Sequence, residues 1–147
     1  MDLNDLSGIN SFLGRGWAFP PQFNKPGCTV SMVSEEIDIC ESLHILLSTR
    51  LGERIKRPNY GCNLDTLLFE PITTQFLTFV KSFVERSILY HEPRIKLDRV
   101  NMNPQNILDG VIEIEIIYTI RATNSSKNFV YPFYLDQADT NAPVIIT

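Results

Sequence analysis

The constraint that most limits this chain is a change of hydrophobic period at one corner. Up to His91 the apolar residues recur at helical spacing; beyond Pro93 they recur every second residue. A chain that switches period once, from 3.6 to 2, with a proline at the switch, predicts helices followed by strands. Before the corner, Ile37, Cys40, Leu43 and Leu47 mark one helix. Ser34 stands at its N-cap, Glu35 and Glu36 sit near the positive end of its dipole, and Gly52 follows Leu51 as the C-cap. This helix is expected from about Glu35 to Leu51. Pro71 and Thr73 open a second, with Phe76, Leu77, Val80, Phe83, Val84 and Ser87 or Ile88 inward and an end near His91. Between them Pro58, Gly61 and the cluster Leu64, Leu67, Leu68 and Phe69 read as a loop with a short helical turn.

After the corner, Ile95 and Leu97 alternate with charged residues, and the pattern resumes one residue out of step at Val100 and Met102. Such a slip predicts a strand with a bulge. Asp109-Gly110 marks a turn, followed by the alternation Ile112, Ile114, Ile116, Tyr118, Ile120. After a further turn at Asn124 to Ser126, Phe129, Tyr131, Phe133 and Leu135 alternate again, with Pro132 inside the run. Proline cannot donate to a ladder, so this third strand belongs at a sheet edge. The expected fold class is α+β: two main helices packed on one face of a small antiparallel sheet of about three strands. Residues 1–33 hold four of the seven glycines together with Trp17, Phe19 and Phe23, and are expected to form an irregular N-terminal arm that either covers the core or reaches a neighbouring subunit. The α+β core then spans 34–135 and a tail 136–147, all one domain, as 147 residues allow.

Composition removes several function classes. A net charge of -4 and no basic run longer than Arg54 to Arg57 speak against a nucleic-acid ligand. Cys28, Cys40 and Cys62 are odd in number and widely spaced, with only two histidines, so neither a disulfide framework nor a metal site is suggested; buried thiols in a reducing cytosol fit better. The first residues carry two aspartates and no basic segment before an apolar one, and no 18 apolar residues run together, so synthesis in the cytoplasm without membrane insertion is expected. No cofactor is implied. His44 and His91 stand in no nucleophile motif, Gly14 to Gly16 lack the setting of a phosphate loop, and Glu70 and Glu92 each precede a proline, a turn feature before a catalytic one. The run Glu92-Pro93-Arg94 holds a carboxylate and a guanidinium on a stiff corner. On spacing alone it serves either an intramolecular pair or a contact to a partner.

The segments FLGRGWAFPPQF (12–23), ILLSTRLGERIKRPNYGCNLDTLLFEP (45–71), EPRI (92–95) and NFVYPFYL (128–135) together resemble the gpW-like, TssE-like baseplate wedge family of contractile phage tails, type VI secretion systems and extracellular injection particles. Leu51 stands where the common form STRPGER has proline, so a less sharply stopped helix is expected. The resemblance implies a structural part with no catalytic residues, bound to large wedge subunits, other baseplate proteins and the sheath. It implies wedge-partner contacts at Glu92, Pro93 and Arg94. From the nearly uncharged last strand a strand-addition edge for the sheath follows at Phe129, Val130, Tyr131, Phe133 and Tyr134; arm contacts are expected separately at Arg15, Trp17 and Phe19. A muramidase is the alternative from another class, since some members have carried a lysozyme label. A free stress-regulatory adaptor would not need the arm motif.

Overall fold

The computed structural model describes residues 14–24, 29–30, 32–64, 70–103 and 109–135. The chain divides within its first helix into two compact units, residues 1–42 and 43–147.

In the first unit, β1 (Arg15–Trp17) pairs antiparallel with β4 (Met32–Ser34), and β2 (Phe23–Asn24) pairs with β3 (Thr29–Val30). The arm expected to be irregular therefore carries two short ladders. Gly16 lies opposite Val33, and a β-carbon on it would meet the Asp38 carboxylate, so a larger residue there would make that side chain shift. Helix α1 (Glu35–Ser48) begins where β4 ends. Its first residues belong to this unit, and the Glu41 carboxylate accepts the Phe19 backbone N–H at 3.1 Å. The first 13 residues of the arm lie outside the described residues, as do Cys28 and the tail.

The second unit holds the end of α1, helix α2 (Thr74–His91) and the strands β5 (Ile95–Asn103), β6 (Val111–Ile120) and β7 (Ser125–Tyr134), in the antiparallel order β5-β6-β7. Helix α1 stops three residues before the expected Leu51. Thr49 turns its hydroxyl back to the Ile45 carbonyl at 2.6 Å, and its own carbonyl accepts the Cys62 N–H at 2.9 Å, which draws the chain into the loop. Gly52 does adopt the left-handed φ of 82°, but its N–H is donated to the Pro58 carbonyl, so it closes a loop and does not cap the helix. The exchange of proline for Leu51 thus falls outside the helix. The inward stripe of α1 is Ile39, Cys40, Leu43, Leu46 and Leu47, while Ile37 is 55% exposed. The buried stripe expected from Ile37 therefore starts at Ile39. Helix α2 begins as expected: Thr73 is its N-cap, its hydroxyl accepting the Phe76 N–H at 3.1 Å.

The sheet follows the period-2 pattern closely. Register shifts between Leu97 and Arg99, which is the expected bulge, and Gly110 takes a φ of 72° at the turn into β6. The last turn occupies 121–124, with Asn124 at a φ of 51°, so β7 starts at Ser125, inside the stretch expected as a turn. Ile112, Ile114, Ile116, Tyr118 and Ile120 are all buried, with Phe129 and Phe133 from β7 and Ile95 and Val100 from β5. With Val80, Val84 and Ile88 of α2 they form one core. On the opposite face Glu115 accepts from Asn101 at 2.9 Å and from Asn128 at 3.0 Å, a polar ladder across all three strands.

Candidate functional site

Three places were singled out by sequence: the corner at 92–94, the strand β7 and the arm. The corner forms because α2 cannot continue into Pro93. Its last bond is from the Glu92 N–H to the Ile88 carbonyl at 2.9 Å, and β5 starts at Ile95. Arg94 reaches back over the proline. Its Nε donates to one Glu92 oxygen at 2.7 Å and its Nη2 to the other at 2.8 Å, a bidentate fork. Glu92 is 3% exposed, while the Arg94 side chain keeps 30% and Pro93 stands exposed. The intramolecular pair left open by the sequence is therefore present, and Glu92 orients the arginine from within. Arg121 ties the corner to the next strand: its N–H donates to the Arg94 carbonyl at 3.0 Å and its Nε to the Ile95 carbonyl at 3.2 Å.

β7 lies at one edge of the sheet, and among the described residues no strand pairs with its outer side. Its parity is fixed by two observations. Leu135 donates its N–H inward to the Gly110 carbonyl at 2.7 Å, and Pro132, opposite Glu113, has no N–H to give. Odd-numbered residues of β7 thus bond to β6, and the backbone groups of Ser126, Asn128, Val130 and Tyr134 point outward, with the carbonyl of Pro132 between them. The side chains divide differently. Phe129 is fully buried and Phe133 7% exposed, so both rings belong to the core and can offer a partner no side chain. Val130 and Tyr134 are on the opposite face, half-buried, and Tyr131 lies on the core face with its ring 5.7 Å from that of His44.

In the first unit Arg15 stands opposite Ser34 and Trp17 opposite Met32. Trp17 is 64% and Phe19 47% exposed, and Phe23 also faces solvent, so these rings are not covered as core residues are.

The loop between the helices holds a cluster of side chains to which the sequence assigned no site role. Tyr60 is buried at its base, with the Arg54 guanidinium 4.3 Å from the ring centroid and the His91 ring at 5.1 Å. Burial pushes the Tyr60 phenol up, opposed by Arg54. Burial pushes the Cys62 thiol up to about 11, against a hydrogen bond from Ser87 that lowers it. That thiol stays protonated and unreactive at neutral pH. Burial alone pushes the His44 imidazole down. Among the described residues no group of three His, Cys, Asp or Glu could hold a metal ion, and no helix is long and apolar enough to cross a membrane. A groove of about 370 Å³ between α2 and β5 is lined by Thr74, Leu77, Lys81, Val100, Asn101 and Met102 among others, and the described residues of its walls include no carboxylate.

Comparison with known proteins gives a consistent set of likenesses. The family profile of baseplate wedge protein gp25 matches residues 33–125, well over half of the chain. The baseplate wedge protein gp25 of Enterobacteria phage T4 is 36% identical over 66 residues, 45% of this chain and 50% of that protein, so the match spans about half of the relative's length. A crystal structure from Geobacter sulfurreducens, described as a tail lysozyme, superposes with a TM-score of 0.68 at 38% identity, covering 76% of this chain and all of the other. A chain of the anti-feeding prophage baseplate superposes with a TM-score of 0.61 at 30% identity, covering 86% of this chain and 90% of that one.

Proposed function

We propose, because this chain belongs to the gp25 family of baseplate wedge proteins, that its work within a contractile injection machine is assembly, with β7 as the edge to which an extended segment of a sheath subunit adds as a fourth strand. The observation that carries this is the edge itself, which no strand among the described residues covers. Asn128, Val130 and Tyr134 present outward N–H and C=O groups, and only Lys127, whose backbone is turned to β6, brings a charge between 126 and 135. Edges left exposed are ordinarily blunted by charge, so one with a single charge near its start fits a partner whose main chain completes it. The missing donor at Pro132 sets the register of the incoming strand, since its carbonyl opposite that residue must find another bond. The corner serves the wedge: Pro93 and the exposed part of Arg94 meet the large wedge subunits, with Glu92 holding the guanidinium in place. Trp17 and Phe19, and Arg15 in the same ladder, supply a third contact to other baseplate proteins.

The test is Val130→Pro against Phe129→Pro in a sheath-docking assay. Val130→Pro removes an outward donor and leaves the β6 ladder whole, so docking is lost from a folded protein. Sheath that docks normally on that variant sinks strand addition.

The muramidase reading is favoured by the description of the Geobacter relative alone. Retaining or inverting hydrolysis needs two carboxyl groups facing a cleft. Both oxygens of Glu92 are taken by Arg94 within a 3%-exposed side chain, and the described residues of the α2–β5 groove offer no carboxylate. Glu92→Gln, assayed on purified cell wall, separates the two: an enzyme loses lysis, whereas a wedge protein has none to lose.

A further inference from the structure

The loop 50–58 carries Arg50, Arg54, Lys56 and Arg57 against the single acid Glu53, in a chain whose net charge is -4. Every one of these residues is exposed, and Ile55 at the tip is 97% exposed. Single exposed apolar residues are common and by themselves mark no site. This one is held by a chain of turns: Gly52 N–H to the Pro58 carbonyl at 2.8 Å, Glu53 to Arg50 at 3.2 Å, Arg57 to Arg54 at 3.1 Å and Tyr60 to Arg57 at 3.0 Å. The Glu53 carboxylate also accepts the Arg50 N–H at 2.9 Å, and Arg54 is stacked on Tyr60. At the base the Asn59 carbonyl lies 3.0 Å from His91 Nε2, and Gly61, at a φ of 129°, lets the chain pass the Thr49 carbonyl. The loop is thus preformed by its own turns, with an aliphatic tip at Ile55 and four cationic residues close to it in sequence.

We propose that this loop is a docking plug for an acidic protein surface, with Ile55 entering an apolar socket and Lys56 and Arg57 meeting carboxylates on its rim. An apolar centre within a charged rim, arginine prominent, is the anatomy of a protein interface. A phosphate backbone would engage the cations and leave Ile55 in water, whereas a protein socket uses both. Preformed turns lower the ordering cost of binding. The inference rests on the assembly role above, in that the partner is another subunit of the same baseplate.

The experiment places a benzophenone amino acid at Ile55 in the full-length chain within assembled baseplates and identifies the photocrosslinked peptide. The expected product is a peptide of another subunit in which Asp and Glu outnumber Lys and Arg around the attachment point. Lys56→Glu/Arg57→Glu should cut its yield on the order of tenfold without changing the melting temperature, and added salt should act in the same direction. No crosslink in assembled particles, a crosslink within the chain itself, to nucleic acid or to a peptide without acidic excess, or a yield indifferent to charge reversal, each overturns it. Sheath docking by the Val130→Pro variant is read in parallel, so failure of the plug and failure of the strand edge are told apart.

Discussion

At the scale of single residues, the Glu92–Arg94 fork decides how the corner can be probed. Arg94→Ala leaves a buried carboxylate without its guanidinium, a loss on the order of 3 kcal/mol. Adding Glu92→Gln should return part of it, since a neutral amide is cheaper to bury unpaired; chemical denaturation of the two variants checks this, and equal midpoints would contradict it. Gly61→Ala is expected to cost about 2–3 kcal/mol, because φ is 129° and a β-carbon would sit 2.5 Å from the Thr49 carbonyl. His44 gives a pH signature. Its folded pKa lies below the unfolded value of about 6.5, so the unfolded chain takes up the proton first, and stability held above that pH falls as pH drops through it. Melting temperatures from pH 7 to 5 should decline in the parent and decline less in His44→Gln. The run EPR was visible in the sequence, but that its glutamate points inward was not, because adjacent positions around a proline do not reveal which side chain faces the core.

At the scale of elements, the period-2 strands were the most legible part, since alternation fixes both the strand and its buried face; Pro132 even located the edge. The helix end was not legible, because a long-range bond from Cys62 to the Thr49 carbonyl, invisible in local sequence, ends α1 early. Nor were the arm ladders, in which Arg15 finds Ser34 nineteen residues away. The edge strand supplies its own paired prediction. Phe129→Pro removes a fully buried ring and a ladder donor and should cost about 3–5 kcal/mol, enough to unfold a marginal domain. Val130→Pro, one residue on, should cost about 1 kcal/mol. A circular dichroism melt of Val130→Pro distinguishes this parity from the opposite one, in which that variant would lose a ladder donor to β6 and be destabilised well beyond this.

At the scale of the whole molecule, one sheet face of the second unit makes the core with its helices, while among the described residues no strand covers the β7 edge, and Pro93 and the loop 50–58 are exposed. That distribution suits a part defined by what it joins. Its family was readable from sequence because the corner and loop motifs occur together in order; its docking geometry needed the register of β7. The most direct measurement is residue-resolved amide hydrogen exchange on the free chain and on the chain assembled with sheath protein. Strand addition requires that Asn128, Val130 and Tyr134, fast in the free chain, become protected on assembly while Phe129, Tyr131 and Phe133 are protected throughout. If those three outward amides exchange as fast in the assembled particle as in the free chain, β7 is not the edge that receives the sheath.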